Sequence, residues 1–148
     1  MPTPLTQQTN SMPLYKNVAP GLNANGQISN IAYVKRYVTK TDDYTVKSTE
    51  SGTFFNTAGA TKAIVFTLPA ISTGPWHFEF FVAADQSLTV TAGTADTLMT
   101  FNDLAADSIA FSTASEKIGG RILIDCDGTS LMGTAFGVSH RQTATVST

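Results

Sequence analysis

The sequence predicts an all-β protein, an antiparallel β-sandwich of jelly-roll-like form with an extended N-terminal arm. Two observations predict this class. Short runs in which apolar and polar residues alternate recur through the chain after residue 40, and this two-residue period is typical of strands with one buried face. Gly, Pro and Asp-Gly turn signals separate the runs, as expected for many short strands.

Composition limits the size of the fold and describes its surface. The 148 residues are 42% hydrophobic with a mean hydropathy of +0.03, so the chain can bury one substantial core. Charged residues make up 14%, against roughly 25% in ordinary soluble domains, and threonine occupies 23 positions. Neutral hydroxyls and amides therefore cover most of the surface, which favours strands and close contact with other chains.

Residues 1–37 are predicted to form the arm, and residues 38–148 the β-sandwich domain. The first 30 residues carry one charge, Lys16, and four prolines, which exclude a helix of useful length. Isolated apolar residues recur along them, so this segment is either a disordered tail or an arm that becomes ordered against a neighbouring subunit. Residues 28–39 either belong to the arm or form the first strand of the domain.

Residues 62–92 contain the densest alternation and are predicted to hold three consecutive strands. One set of alternating residues is expected to face the core: Ile64, Phe66, Leu68, Trp76, Phe78, Phe80, Val82, Leu88, Val90 and Ala92. The three strands are predicted to form one wall of a common core. The four-residue connection 83–86 predicts that the second and third strands pair antiparallel. Before this stretch, short strands are expected over residues 44–47 and 53–56.

A closing hairpin is predicted between residues 118 and 138. Ile122, Ile124 and Cys126 alternate toward the core, and Asp127-Gly128 is a tight-turn signal. Since Cys126 is the single cysteine of the sequence, no intrachain disulfide and no cysteine-based metal site are expected, and the thiol is interpreted as a small hydrophobe.

The segments around this hairpin give weaker signals. The alternation is lost after Gly93, and residues 102–107 are predicted to form a single helical turn. Gly119-Gly120 indicates a bulge or a place where another backbone comes close. Residues 140–148 either add an edge strand or are partly disordered.

Charge and hydropathy exclude two classes of partner. A net charge of −2, a pI near 5.5 and nine scattered basic residues argue against nucleic-acid binding, which needs clustered Lys and Arg. The nearest approach to a cluster, Lys35-Arg36 with Lys40, is interpreted as a solvated strand edge. No apolar run approaches the roughly 20 residues that span a bilayer, so we expect a soluble cytoplasmic product without a membrane partner.

Sequence patterns of catalysis and metal binding are missing. The two histidines are His77 and His140, and no G-x-S-x-G, G-x-G-x-x-G or G-x-x-x-x-G-K-[ST] pattern occurs, so we expect neither nucleophilic catalysis nor nucleotide binding. Asp125, Asp127 and Ser130 resemble the opening of a calcium loop, but its other ligands are missing, and a hairpin turn explains these residues more simply. No enzyme activity, metal or cofactor is expected.

Four aromatic residues would suit a sugar-stacking platform: Trp76, Tyr33, Tyr37 and Tyr44. Their apolar rings with polar tips could contact pyranose faces. The competing interpretation is core packing for Trp76, because it shares a strand face with Phe78 and Phe80, and interface packing for the tyrosines.

Four runs carry a resemblance to a known family. They are Ile64-Val65-Phe66-Thr67-Leu68-Pro69, Phe78-Glu79-Phe80-Phe81-Val82, Leu88-Thr89-Val90-Thr91 and Ile122-Leu123-Ile124-Asp125-Cys126-Asp127-Gly128-Thr129-Ser130. In this order, with a Gly-containing loop after the first, they are similar to small β-domains of tailed-bacteriophage virion proteins, which recur in head decoration (cement) proteins, head fibres and tail fibres. The resemblance covers residues 44–137. It departs from the family at Leu131-Met132-Gly133, where such domains often place a large aromatic residue.

The resemblance implies a non-enzymatic head decoration protein, a homotrimer on the capsid surface of the virion, made in the host cytoplasm. Its partner would be the major capsid protein, and its trimers would stabilise the shell at junctions between capsid subunits while their arms reach over neighbours. On this basis the predicted contact residues of the arm are Leu14, Tyr15, Val18, Leu22, Ile28, Ile31 and Tyr33. The alternative is a phage fibre or receptor-recognition module that binds surface carbohydrate.

Overall fold

The computed structural model describes residues 35–93, 95–137 and 142–148. These residues form twelve strands: β1 (Arg36–Thr39), β2 (Tyr44–Thr45), β3 (Thr53–Asn56), β4 (Ile64–Thr67), β5 (Trp76–Phe81), β6 (Leu88–Thr91), β7 (Leu98–Thr100), β8 (Asp103–Ala106), β9 (Ser108–Phe111), β10 (Arg121–Cys126), β11 (Leu131–Phe136) and β12 (Ala144–Ser147). Two short 3₁₀ turns span Ser48–Glu50 and Ile71–Thr73. The predicted all-β class is confirmed. Across the described ranges, no helix has the length and apolar character needed to cross a membrane.

The strands form two sheets around one core. The seven-stranded sheet has the order β1-β3-β5-β10-β11-β7-β8, and the five-stranded sheet has the order β12-β9-β6-β4-β2. Buried residues from both sheets form one hydrophobic cluster, which is the arrangement of a β-sandwich. All ten residues predicted to face the core from residues 62–92 are buried, which confirms the alternation in that stretch.

Phenylalanine rings join the two sheets at the centre of the sandwich. The ring centroid of Phe66, on β4, lies 4.9 Å from that of Phe80 on β5 and 5.5 Å from that of Phe55 on β3. Phe55 and Phe80 stack at 5.6 Å with an interplanar angle of 14°. All three side chains are fully buried. Aromatic pairs at such distances add about 0.5–1.5 kcal/mol to the effect of area burial, so these rings help to hold the two sheets together.

Strand pairing differs from the predicted antiparallel, jelly-roll-like order. β4 and β6 pair parallel, from Ile64 opposite Leu88 to Thr67 opposite Thr91, while β5 lies in the other sheet. The three central strands therefore line both walls of the core, and the connection 83–86 crosses between sheets. Five of the ten pairings among the described residues are parallel. The prediction was wrong here because a two-residue period is the same for parallel and antiparallel strands.

The helical turn predicted at residues 102–107 is also wrong. β7 and β8 pair antiparallel across this stretch, and the two residues between them, Phe101 and Asn102, have φ angles of 44° and 66°. Two consecutive left-handed residues are characteristic of a type I′ turn, whose twist matches that of the flanking strands. Asn tolerates this conformation well, whereas Phe adopts it rarely, so the sequence gives only half of the usual turn signal.

β10 and β11 form the predicted closing hairpin, with Cys126 opposite Leu131. Cys126 is buried, and burial raises the pKa of its thiol, in agreement with its interpretation as a small hydrophobe. Gly120 precedes β10 at a point where an added Cβ would lie 2.8 Å from the ring of Phe111. The close approach predicted at Gly119-Gly120 is therefore made by a side chain and not by another backbone.

The Asp127 carboxylate fixes the turn of this hairpin. Its Oδ1 accepts hydrogen bonds from the backbone N–H of Thr129, the Thr129 hydroxyl and the backbone N–H of Ser130, each at 2.7 Å. These bonds, led by the one from the Thr129 side chain, lower the pKa of Asp127 below its ordinary value. This geometry is an Asx turn, and it accounts for Asp127 without a bound ion.

Replacing Asp127 with alanine is expected to destabilise the protein at neutral pH and to have less effect in acid. Because the folded-state pKa is lowered, the stability that the carboxylate contributes is present above the unfolded-state pKa and is lost as the pH falls through the folded-state pKa. Urea unfolding of both proteins across the acid range measures this difference. Asp127→Asn is the matched control, since its amide oxygen keeps the acceptor at every pH. Equal urea midpoints for wild type and Asp127→Ala at neutral pH would contradict the expectation.

The two ends of the described chain contribute edge strands. β12 lies at one edge of the five-stranded sheet, which confirms the edge-strand alternative for the C-terminal residues. β1 lies at the edge of the seven-stranded sheet, so Arg36 and Tyr37, assigned by the prediction to the arm, are part of a sheet. His140 and the seven predicted contact residues of the arm lie outside the described residues: Leu14, Tyr15, Val18, Leu22, Ile28, Ile31 and Tyr33.

Candidate functional site

The outer surface of the seven-stranded sheet carries large apolar side chains. Successive residues of a strand point to opposite faces, so the residues that alternate with the core residues of β1, β3, β5, β10 and β11 point outward. Six of these outward residues define a surface that we call the aromatic face: Tyr37, Phe54, Phe81, Leu123, Met132 and Phe136. Tyr37 and Phe136 are the most exposed of them, at 66% and 51%.

Strand register brings these side chains together. Tyr37 lies opposite Phe54, with 5.1 Å between ring centroids, and Phe54 stacks on Phe81 at 5.9 Å and 29°. The rings therefore form a row across β1, β3 and β5. Arg121, on β10, is paired with Phe81 on one side and with Phe136 on the other, which extends the surface to β11.

A charged trio lies within the aromatic face. The Glu79 side chain is only 12% exposed, and it pairs with Lys35 and with Arg121. Lys35 Nζ and Arg121 Cζ lie 5.7 Å and 5.9 Å from the ring centroid of Phe54, within the range of cation–π attraction. A carboxylate at this depth would be costly without partners, and the two cations compensate it. The negative charge of Glu79 is therefore compensated by residues of the face itself.

The size and composition of the aromatic face fit a protein contact. With strands about 4.8 Å apart and a rise of about 3.3 Å per residue, its area is on the order of 400 Å². Exposed apolar patches of a few hundred Å² on a soluble protein commonly mark interaction sites, and aromatic residues, Met and Arg are enriched in protein interfaces. Among the residues that the structure describes, three other large apolar residues are exposed outside this face: Phe101, Leu104 and Ile118.

The aromatic residues considered for sugar binding do not form one platform. Trp76 is 3% exposed and belongs to the core, which confirms its core interpretation. The Tyr44 hydroxyl donates to the Glu50 carboxylate at 2.9 Å, and burial, followed by that carboxylate, raises the pKa of Tyr44. Tyr37 belongs to the aromatic face, and Tyr33 lies outside the described residues.

The described histidine has no catalytic surroundings. His77 is exposed on the outward side of β5, as predicted, and Asp125 lies opposite it on β10. Its backbone N–H donates to Ser51 Oγ at 3.1 Å, but its imidazole has no hydrogen bond to any described residue. Within residues 35–93, 95–137 and 142–148, His, Cys, Asp and Glu side chains do not gather in any group of three that could hold a metal ion.

The basic residues near β1 are engaged locally. Arg36 Nη2 lies 3.8 Å from Glu50 Oε1, and Lys40 Nζ lies 3.3 Å from the ring centroid of Tyr44. With Lys35 held by Glu79, each cation of the predicted strand edge has a partner within the domain. These contacts favour a structural role at the sheet edge over phosphate binding.

An open cavity of about 320 Å³ lies next to the loop after β6. Its lining is mostly small and polar: Thr91, Ala92, Gly93, Ala95, Asp96, Thr97 and Asp107. Asp96 Oδ2 accepts a hydrogen bond from the Ile71 backbone N–H at 3.0 Å, so this carboxylate connects two loops. The cavity has no aromatic or basic lining residue among those described, which leaves the aromatic face as the stronger candidate.

The sequence analysis did not predict the aromatic face, because it followed the core-facing residues of each strand. Of the six residues, it considered only Tyr37 for a contact surface, with interface packing as one interpretation. A signal was present in the pairs Phe54-Phe55 and Phe80-Phe81. Two adjacent aromatic residues in one strand point to opposite faces, so each pair must place one ring outside the core. A second apolar surface follows from that rule alone.

Comparison with protein-family models and with curated proteins gives no match to this chain.

Proposed function

We propose that this chain is a structural virion protein that decorates a tailed-bacteriophage capsid. It binds as homotrimers across junctions between major capsid protein subunits and stabilises the shell. The observation that carries the proposal is the aromatic face, with Tyr37 and Phe136 more than half exposed on an uncommonly weakly charged protein. Such a surface gains free energy by burial against another protein.

The free energy available from one such contact explains why several copies would bind together. Burying about 400 Å² at about 25 cal/mol per Å² gives at most about 10 kcal/mol. Association costs an estimated 4–15 kcal/mol in lost translational and rotational freedom. A single face therefore binds weakly. Threefold symmetry makes the contacts of three copies intramolecular after the first has formed, which raises their effective concentration.

The N-terminal segment supplies the second part of the proposal. Its low charge, with Lys16 alone in the first 30 residues, and its recurring apolar residues suit an extended arm that lies on neighbouring subunits. The residues proposed to make those contacts are Leu14, Tyr15, Val18, Leu22, Ile28, Ile31 and Tyr33. Each ordered residue costs roughly 1–2 kcal/mol of backbone entropy. The free energy gained by burying the apolar side chains of the arm must therefore exceed the total cost of ordering it.

Deletion of residues 1–34 tests the arm. This deletion keeps β1 whole, since β1 begins at Arg36. We expect the shortened protein to retain the circular dichroism spectrum of a β-protein and to lose attachment to purified particles that lack the natural protein. Attachment at the wild-type level by a folded, shortened protein would contradict the role of the arm.

The alternative function is a fibre or receptor-recognition module that binds surface carbohydrate. The observation that favours it is the exposure of Tyr37 on an open aromatic surface, because aromatic rings can stack on sugars. Binding to a glycan array that Tyr37→Ala abolishes without unfolding the protein would support this alternative. Absence of binding to every glycan on the array would count against it.

A further inference from the structure

β12 differs from the other strands at sheet edges. The edge strands formed by the described residues are β1 and β8 in one sheet and β12 and β2 in the other. β12 pairs with β9 on one side, with Thr145 opposite Ala110 and Val146 opposite Ile109. Along its other side no described strand is paired. An edge strand presents unpaired N–H and C=O groups along such a side, which is a template for another strand.

The other three edges carry features that discourage pairing with a further strand. β1 contains Arg36 and is flanked by Lys35 and Lys40. β8 begins with Asp103 and pairs with β7 through an irregular register. β2 has only two residues. Charges, irregularities and short length are the usual means by which edges avoid association.

β12 has none of these features. Residues 142–148 contain no charged side chain and no proline, and the nearest charged side chain in the sequence is Arg141. Their side chains alternate: Ala144 and Val146 are half-buried against the core, whereas Thr145 and Ser147 are exposed. A further strand beside β12 would complete the burial of the two apolar residues and would pair the backbone groups.

The lack of charge on β12 also indicates which strand would fit there. A twofold axis places each residue near its own copy, so a charged edge would meet like charge, which is destabilising. In an antiparallel pair of two β12 strands with Thr145 on the axis, Ala144 lies opposite Val146 of the second strand and the threonines lie opposite each other. Apolar residues then meet apolar residues on the core side, and the two Thr145 side chains meet on the outer side, where each hydroxyl donates to Ala110 O of its own chain.

We propose that β12 pairs antiparallel with β12 of a second copy of this chain, which joins the two five-stranded sheets into one continuous ten-stranded sheet. The pairing goes beyond the proposed function and does not depend on it. If the chain forms trimers on a shell, this contact would link neighbouring trimers in pairs. It predicts that the protein in solution contains an even number of chains.

The test is the molar mass of the purified full chain, measured by light scattering during size-exclusion chromatography, for wild type, Thr145→Lys and Thr45→Lys. Two ammonium groups placed opposite each other across the axis repel, so Thr145→Lys is expected to halve the mass. Thr45→Lys is the matched control, because Thr45 is exposed on β2 at the opposite edge of the same sheet, and its mass should equal that of wild type. A wild-type mass equal to an odd number of 15.7 kDa chains, a single chain included, would overturn the proposal. An unchanged mass for Thr145→Lys would also overturn it.

A second variant keeps the test decisive if Thr145→Lys disturbs the strand itself. With Thr145 on the axis, the Cβ atoms of the two copies are about 4.5–5.5 Å apart, close to disulfide distance. Thr145→Cys should form a disulfide between chains on mild oxidation, seen as a dimer on a non-reducing gel. Thr45→Cys should run as a single chain on the same gel. Cys126 is buried and does not compete. Absence of the Thr145→Cys dimer would overturn the pairing. Failure of either experiment overturns the pairing alone, because a wild-type mass of three chains would still agree with the proposed homotrimer. Failure of the particle-binding experiments leaves the pairing untouched.

Discussion

Replacing Phe80 with alanine is expected to destabilise the protein by about 3–5 kcal/mol, because removal of a buried phenylalanine loses its transfer free energy and leaves a cavity. Phe80 is fully buried, and its ring contacts Phe66 of the opposite sheet at 4.9 Å and Phe55 at 5.6 Å. Since small domains have about 5–15 kcal/mol of stability in total, this single change removes a large fraction of it. Urea unfolding followed by Trp76 fluorescence measures the loss.

Phe81→Ala is the matched control for this prediction. The two residues are adjacent in β5, but Phe81 points outward and stacks on Phe54 at 5.9 Å. We expect it to cost about 1 kcal/mol, the size of one aromatic pair. Equal losses for Phe80→Ala and Phe81→Ala would contradict the assignment of one face of β5 to the core and the other to the surface.

The double substitution Tyr37→Ser and Phe136→Ser is expected to weaken attachment to the capsid by at least about 2 kcal/mol, or roughly 30-fold in affinity. Both side chains are more than half exposed, so their removal should cost the free protein only about 1 kcal/mol, the size of the aromatic pair between Tyr37 and Phe54. The measurement is binding of the labelled protein to purified particles that lack it, at a series of concentrations.

A second pair of exposed apolar residues serves as the control that separates the aromatic face from exposed apolar area in general. Phe101 and Leu104 are 56% and 77% exposed, and they lie on the β7–β8 hairpin, outside the aromatic face. Phe101→Ser with Leu104→Ser should leave binding at the wild-type level. If both double variants lost binding equally, or if neither lost it, the aromatic face would not be the capsid contact.

The sequence predicts the inward residues of this fold well, because the alternation of buried and exposed residues can be recognised within each strand by itself. The sets from Ile64 to Ala92, and from Ile122 to Cys126, are buried as their alternation predicts. Pairing is different. Whether β6 joins β5 or β4 depends on contacts between distant segments, and the alternation along Leu88–Thr91 is equally compatible with both.

The candidate site was less accessible to sequence analysis for a related reason. Tyr37, Phe54 and Phe81 come from three strands that are separated in the chain and become neighbours only through the parallel pairings of β1, β3 and β5. An adjacent pair such as Phe80-Phe81 shows that one ring lies outside the core, but it does not show which outward residues share a sheet. Residue preferences likewise did not predict the turn between β7 and β8, because phenylalanine rarely adopts the left-handed conformation that Phe101 has there.

The copy number of this chain in purified virus particles tests the proposed function most directly. Quantitative mass spectrometry against the major capsid protein gives the ratio of the two chains. If the chain decorates the capsid, its copy number scales with the capsid lattice, in multiples of three. A small number of copies per particle would place the protein in a tail or fibre, and absence of the chain from particles would contradict the decoration function altogether.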